Sequence, residues 1–203
     1  MYAKVGPISA ALEQKHQARS EETGAMVVTQ AHGSYFEAAK RGVVFTAHSQ
    51  TGCVWTVGLA TIYTGVCVSN PFGSGKNLSV LAAGFQEVVQ PAGIQAAWLA
   101  GGYSTTAVTH SAPGVPVNML LGGAVGVAKF DTGATLPVAP SILLPLTVGK
   151  ISAVLSTSAG PILTHTKGLP CVPPGGFVII AAFTIGAAVG QYGCIIWQEV
   201  PIV

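Results

Sequence analysis

The chain has 203 residues, enough for one domain with a sizeable core, and its 26 glycines and 13 prolines place turn signals at short intervals. Together with abundant valine, threonine and alanine, these signals predict an all-β architecture with little helix. The formal net charge of +2, with no basic run interleaved with aromatic residues, argues against direct binding of nucleic acid.

Charge is concentrated near the N-terminus. Nine of the sixteen charged residues lie within residues 1–41, and the other seven are spread over residues 42–203. This change in composition divides the chain into an N-terminal arm, 1–41, and a β-sandwich or jelly-roll domain, 42–203. The arm has too few apolar residues for a core of its own, so we expect it to order on another subunit. The expected assembly contacts are Ile8, Leu12, Tyr35, Phe36, Lys40 and Arg41.

The end of the arm, SYFEAAKRG at residues 34–42, has a helical pattern. Ser34 and Glu37 have the spacing of a capping box, and Lys40, Arg41 and Gly42 suit the end of a helix. A two-turn helix is predicted here, with an extended arm as the alternative.

From Val43 onward, apolar and β-branched runs of strand length follow one another, each bounded by turn residues. Eight or more strands fit a β-sandwich or jelly roll. The predicted strands are VVFTAHS (43–49), CVWTVGLA (53–60), YTGVCVSN (63–70), NLSVLAAGFQEVV (77–89), QAAWLAGGYS (95–104), PVNMLLGG (116–123), AVGVAKFD (124–131), ILLPLTVGKISAV (142–154), FVIIAAFTI (177–185) and QYGCIIWQEV (191–200).

The stretch SNPFGSGKN, residues 69–77, has some likeness to a phosphate-binding loop. Such a loop has the pattern G-x-x-x-x-G-K-[ST], but Asn70 and Asn77 stand at its first and last positions. It must also join a strand to a helix, whereas both flanks here have strand composition. We therefore predict a hairpin loop with Lys76 at its tip, solvated or contacting a neighbouring chain.

The stretch FDTGATL, residues 130–136, contains the Asp-Thr-Gly of aspartic proteases. Those enzymes share one proton between two carboxylates, and this chain has a single copy, so a homodimer would have to supply the second. A flap is not recognisable in the sequence. The preferred interpretation is that Asp131 lies in a turn between strands.

Other catalytic or metal-binding patterns are absent from the sequence. The five histidines are scattered, and a triad would have to draw its acid from Asp131, Glu87 or Glu199, the acids that follow Gly42. Ser104 in GGYSTT lacks the closing glycine of a nucleophile elbow. We expect no enzyme activity, no cofactor and no metal site.

The four cysteines, Cys53, Cys67, Cys171 and Cys194, are far apart and have no zinc-binding spacing. Their apolar neighbours predict small buried side chains in a reducing compartment, with disulfides as the alternative. The first 22 residues lack an apolar h-region or a cleavage signature, so export by a cleaved signal is not expected.

Residues 168–198 are free of charge and include GGFVIIAAFTIGAAVG, which has the G-x-x-x-G spacing of some membrane helices. Prolines precede this run, and two β-rich segments flank its Gly-Ala linker. A buried hairpin is therefore favoured over a membrane span.

The low charge of residues 42–203 predicts extensive contact with other protein chains. A globule of this size would expose roughly 7,500 Å², or about one charge per 1,000 Å². Either uncharged polar residues cover that surface or other chains do, and we favour the second. The protein is therefore expected not to be a stable monomer.

Three segments, HGSYFEAAKRGVVFTAHSQ, TGVCVSNPFGSGKNLSVL and the closing WQEVP, resemble a group of bacteriophage virion structural proteins. The resemblance runs from about Thr23, and the residues before it depart from the group. It implies a virion context, either capsid decoration or a tail or fibre component, and it carries over no functional residues.

The resemblance and the charge pattern together predict a homo-oligomer, a trimer, that contacts the major capsid protein of a virion assembled in the host cytoplasm. A tail-associated receptor- or carbohydrate-binding module is the alternative, which clustered exposed tryptophan and tyrosine would favour. The strand-like settings of Trp55, Trp98 and Trp197 instead suggest core. A dimeric aspartic protease is the third hypothesis.

Overall fold

The computed structural model describes residues 33–50, 53–87, 95–149, 162–184 and 190–202. Contacts define one compact unit over Glu37–Val203. Most of the predicted arm, including Ile8 and Leu12, lies outside the described residues, so their expected assembly contacts stay predictions.

The predicted helix is confirmed over a single turn, α1 (Phe36–Lys40). It ends because Gly42 adopts a positive φ of 69°, a backbone conformation that glycine tolerates best. The Gly42 amide donates to the carbonyl of Ala39 at 2.8 Å, and the Val43 amide donates to that of Ala38 at 3.2 Å. This pair of bonds is the Schellman arrangement, which satisfies the last carbonyls of a helix.

Fourteen strands follow within the described residues, and the all-β prediction is confirmed. They are β1 (Val44–His48), β2 (Cys53–Val54), β3 (Ile62–Ser69), β4 (Lys76–Glu87), β5 (Gln95–Tyr103), β6 (Thr109–His110), β7 (Pro113–Gly114), β8 (Val117–Asn118), β9 (Lys129–Thr135), β10 (Ser141–Gly149), β11 (Ile162–His165), β12 (Cys171–Val172), β13 (Gly176–Thr184) and β14 (Gly190–Pro201). Eight of them are long, and the predicted strands at 53–60 and 116–123 shrink to two residues each.

The strands form two antiparallel sheets that pack as a sandwich. The first sheet has the order β11-β4-β14-β1-β8, with β12 pairing β4 and β2 pairing β14. The second has the order β10-β5-β13-β3-β9-β6, with β7 pairing β9. The last two long strands lie between strands from the first half of the chain, since β13 separates β3 from β5 and β14 separates β1 from β4. This nesting is that of a jelly roll.

The main core lies between the two sheets. Phe45 of β1 and Trp197 of β14 are stacked there with ring centroids 6.1 Å apart. The same cluster includes Val68, Leu99 and Ile180 of the second sheet. A second apolar cluster covers the opposite face of the second sheet and includes Tyr63, Cys67, Val108, Phe177 and Ile179. The second sheet is therefore buried on both faces over part of its area.

Burial on both faces explains the run that looked like a membrane segment. Val178 and Ile180 of β13 belong to the core between the sheets, whereas Phe177, Ile179 and Ala181 belong to the second cluster. A strand with two buried faces has a continuous apolar sequence rather than an alternating one. Within the described residues no helix is long and apolar enough to cross a membrane.

Two predicted hairpins are wrong. The strands β13 and β14 belong to opposite sheets, as do β3 and β4, so the described segment 70–75 connects the two layers of the sandwich. The predicted Asp-Thr-Gly turn is also wrong, because these residues lie inside β9, paired with β3 on one side. For the two hairpins the apolar pattern located the strands but not their partners. For the Asp-Thr-Gly stretch it placed the strand too early, at 124–131, whereas β9 runs over Lys129–Thr135.

Candidate functional site

The most prominent surface feature is an uncharged loop, residues 115–125, which we call the apolar loop. Six large apolar side chains in it are exposed, and Val115, Leu121 and Val125 are 74, 86 and 77% exposed. The other three are Val117, Met119 and Leu120. Soluble monomers rarely expose so many apolar groups together, so this loop has the character of a contact surface.

The apolar loop is held in a defined shape by Asn118, whose side chain is buried. Its Nδ2 donates to the carbonyls of Gly42 at 3.0 Å and Ala124 at 2.8 Å, and its Oδ1 accepts from the Leu120 amide at 2.9 Å. The Met119 amide also donates to Val44 of the neighbouring strand β1. These bonds attach Asn118 and Met119 to Gly42 and Val44 and tie Ala124 back to Asn118. The loop therefore presents its apolar side chains from a fixed backbone.

A buried carboxylate secures the return of this loop into β9. The Oε1 atom of Glu199 accepts from the amides of Val127 at 2.6 Å and Ala128 at 3.2 Å. Its Oε2 lies 2.8 Å from Nζ of Lys76. Three elements, β4, β14 and the segment before β9, therefore meet at one carboxyl group.

This ion pair corrects the prediction for Lys76. The lysine begins β4 and contacts a buried acid rather than lying at the tip of a loop. The preceding Asn70 uses its Nδ2 to bind the carbonyls of Lys76 at 2.8 Å and Val172 at 3.0 Å. The stretch 69–77 therefore has a structural account, and no helix follows it to support phosphate binding.

A second feature is a cleft of about 230 Å³ on the outer side of the second sheet. Its walls combine apolar side chains, two glycines and four polar or charged groups. The lining residues are Ser69, Asn70, Pro71, Phe72, Ala107, Val108, His110, Lys129, Gly175 and Gly176. The Oδ1 atom of Asn70 is buried and has no hydrogen-bond partner among the described residues.

Three side chains at this cleft form a continuous polar chain. The Oγ of Ser69 lies 3.4 Å from Nε2 of His110, and Nδ1 of His110 lies 3.1 Å from Oδ2 of Asp131. They come from β3, β6 and β9, and they meet because β9 lies between the other two strands. Ser69 and Asp131 are buried, whereas the imidazole is about a quarter exposed.

The remaining oxygen of Asp131 binds the backbone. Its Oδ1 accepts from the amides of Gly133 at 2.7 Å and Ala112 at 3.0 Å. The carboxylate is fully buried and all of its described contacts are within the chain. An aspartic protease needs two carboxylates facing one another across an open cleft, so this geometry gives the protease hypothesis no support.

The cysteines differ from the expectation of uniform burial. Cys67 is buried and Cys194 is partly buried, but Cys171 is exposed, and all three are free thiols. Burial, and secondarily the charge of Asp131, raises the pKa of the Cys67 thiol. Burial also raises the pKa of Cys194. The side chain of Cys53 lies outside the described residues.

The other predicted residues are dispersed. Lys40 and Arg41 are exposed at the end of α1, and Tyr35 and Phe36 lie at its start. Trp55 and Trp197 are buried as expected, whereas Trp98 is only partly buried. Within the described ranges, no three His, Cys, Asp or Glu side chains are grouped so that they could hold a metal ion.

Sequence patterns indicated Asp131 but missed Ser69, His110 and Asn118. The Asp-Thr-Gly motif drew attention to Asp131 for a chemistry that the geometry does not support. Ser69 and His110 carry no motif, because they are 41 residues apart and meet only through strand pairing. For Asn118, the one available signal was an isolated amide within the apolar run PVNMLLGG.

Comparisons with protein-family models, with curated proteins and with solved structures found no match to this chain.

Proposed function

We propose that the protein is a virion structural protein, a homotrimeric capsid decoration protein that stabilises a phage shell by apolar contacts. The observation that carries this proposal is the apolar loop, whose exposed side chains are presented from an anchored backbone. The sequence resemblance to phage virion proteins is a second observation in favour of the proposal. Sister chains and the major capsid protein are the proposed partners, in a virion assembled in the host cytoplasm.

Burial of the apolar loop would supply the free energy of attachment. Each 1,000 Å² of apolar surface removed from water contributes on the order of 25 kcal/mol before the entropic costs of association. Because Asn118 and Glu199 already hold the loop, little backbone entropy would be lost on binding. A decoration protein needs such area and order, and it needs no chemistry.

The distribution of charge supports contact with protein rather than solvent. Residues 42–203 contain seven charged side chains, and two of these, Asp131 and Glu199, are buried. Lys76 is engaged with Glu199. The charge available on the surface is therefore lower than the sequence count, which favours a surface covered by other chains.

A tail-associated module that binds a receptor or carbohydrate is the second candidate. Exposed Tyr103 and Tyr192 favour it, since aromatic side chains are common where sugars and receptors dock. Trp55 and Trp197 are buried and unavailable for such contacts. The decoration proposal is preferred because the apolar loop exposes more apolar side chains than the two tyrosines do.

The copy number and position of the chain in purified particles test the proposal. We expect a copy number close to that of the major capsid protein and a location on the shell, with a trimer in sedimentation of the recombinant protein. A few copies confined to the tail would favour the second candidate. A stable monomer at micromolar concentration would contradict the proposal.

A pair of variants tests the role of the apolar loop. Replacing both Leu121 and Val125 with serine should weaken trimer formation and binding to undecorated shells. Ile62→Ser is the matched control, because Ile62 is 74% exposed, close to the 77% of Val125, but lies in β3, outside the loop. Equal behaviour of the loop variant and the control would exclude the loop as the contact surface.

A further inference from the structure

We propose that Ser69, His110 and Asp131 form a nucleophilic site that hydrolyses small acyl esters. This inference goes beyond the proposed virion function and does not rest on it. It also departs from the sequence-based expectation of a protein without enzyme activity. The observation behind it is the order of contacts, serine to imidazole to carboxylate, at the wall of a cleft.

The contacts assign a role to each of the three side chains. A hydrogen bond from Nδ1–H of His110 to Oδ2 of Asp131 leaves Nε2 unprotonated and directed at the hydroxyl of Ser69. Nε2 can then accept the serine proton. The 3.4 Å separation of Oγ and Nε2 is typical of an unliganded site, where catalytic hydrogen bonds are often long.

Asp131 acts as a positioning residue. Its second oxygen is held by two backbone amides, so the carboxylate cannot rotate away from the imidazole. Burial of the carboxylate strengthens its interaction with an imidazolium, which is the form that His110 takes after accepting the serine proton. This arrangement is more restrictive than a solvated histidine–aspartate pair on a surface.

The cleft indicates the class of substrate. Its volume of about 230 Å³ suits a small acyl group, and Phe72 and Val108 supply apolar walls. The unpartnered Oδ1 of buried Asn70, another lining residue, can accept a hydrogen bond from a bound molecule. A short-chain acyl ester of an alcohol that carries further hydroxyl groups satisfies both features.

The reaction balances with water as the second reactant. The Oγ of Ser69 attacks the ester carbonyl and transfers its proton to Nε2 of His110, and the alcohol leaves with that proton. Water then attacks the acyl-serine, again through Nε2, which returns a proton to Oγ. The products are a carboxylic acid and an alcohol. Lys129 is the one lysine or arginine among the described lining residues, and its side chain would stabilise the oxyanion.

The first experiment exposes the full chain to a fluorophosphonate probe and maps the adduct by mass spectrometry. We expect one adduct on the Ser69 peptide of the wild-type chain. Ser69→Ala should abolish labelling, and Ser104→Ala, at a nearby serine outside the cleft lining, should retain it. No adduct at Ser69 under conditions that label a known serine esterase would overturn the proposal.

The second experiment measures hydrolysis of p-nitrophenyl acetate. His110→Gln should lower kcat at least about 100-fold, the contribution expected of a general base. Asp131→Asn should lower kcat by a similar factor and leave KM within about twofold, because it acts on the orientation of the imidazole rather than on binding. If both variants keep the wild-type kcat, or if activity survives in Ser69→Ala, the assignment is wrong.

Discussion

The Nζ atom of Lys76 lies 2.8 Å from Oε2 of Glu199, although 123 residues separate the two in the chain. The glutamate is fully buried, and the lysine is about one third exposed. A buried carboxylate is tolerated when both of its oxygens are hydrogen-bonded, here by one ammonium group and two backbone amides. The pair joins the first strand after the 70–75 connection to the last strand of the chain.

Lys76→Met should lower the free energy of unfolding by about 2 kcal/mol, because the buried carboxylate loses its countercharge while the lysine's partial exposure limits the loss. Urea denaturation measures this change. Lys40→Met, at an exposed lysine in α1, is the control and should stay within about 0.5 kcal/mol of wild type. A double-mutant cycle with Glu199→Gln should give a coupling energy of about 1 kcal/mol or more, and additive effects would contradict a direct interaction.

Gly65 is required by the packing around Tyr63. Its φ is 131°, and an added Cβ would meet the tyrosine ring, with Cζ at 2.8 Å. Tyr63 is buried and donates through its hydroxyl to the carbonyl of Ile180 at 2.7 Å, so its ring cannot move aside without breaking that bond. Gly65→Ala should therefore destabilise the fold by about 3 kcal/mol.

The control for this substitution is Gly73→Ala. Gly73 also has a positive φ, 74°, but an added Cβ would meet nothing within 4 Å. The Gly73→Ala variant should therefore lose about 1 kcal/mol of its free energy of unfolding, from backbone strain alone. Comparison of the two midpoints in urea gives the cost of the Tyr63 contact and the φ of 131° together, relative to a glycine near the left-handed region in open space. Equal losses would refute the role assigned to Tyr63.

Stability should fall at alkaline pH because of Cys67. Its pKa is raised in the folded protein by burial, with a smaller contribution from Asp131, whereas the thiol of the unfolded chain ionises at about pH 8.5. The stability that the Cys67 thiol contributes is therefore fully present below the pKa of the unfolded chain. It is lost as the pH rises toward the higher pKa of the folded protein. Above about pH 9 the loss approaches 1.4 kcal/mol per pH unit.

Cys67→Ala should remove this part of the slope when the free energy of unfolding is measured from about pH 7 to 10. Cys171→Ala should leave it in place, since that thiol is exposed. A slope that is unchanged in Cys67→Ala would show that the thiol does not remain protonated in the folded protein.

Deleting residues 1–33 should leave the sandwich folded. The described core residues of both clusters lie between Phe45 and Trp197, and the compact unit begins at Glu37. The far-ultraviolet β signature and a cooperative melt should persist, while binding to shells or to sister chains should weaken. Loss of cooperative melting would show that the N-terminal arm belongs to the core.

The positions of the long strands were predictable because their cause is local. Apolar and β-branched runs bounded by glycine and proline predicted β3, β5, β13 and β14 to within a few residues, and the same composition indicated a sandwich. The end of α1 was equally local, since Gly42 both ends the helical pattern and adopts the positive φ that ends the helix. The small number of charged residues in 42–203 also follows directly from the sequence.

Strand partners were decided only in three dimensions. Alternation of apolar residues reports which face of a strand is buried, but it does not report which neighbour supplies its hydrogen bonds. Adjacent strands such as β13 and β14 were therefore assigned to one hairpin, whereas each lies in a different sheet between strands from the first half of the chain.

The same limit applies to the polar groups. Ser69, His110 and Asp131 meet because β9 separates β3 from β6, and Lys76 meets Glu199 because β4 pairs with β14. The sequence by itself determined that these polar residues stand among apolar strands. Only the tertiary structure decided their contacts, because a buried polar group is satisfied by whichever donors and acceptors the packing of distant strands brings within about 3 Å.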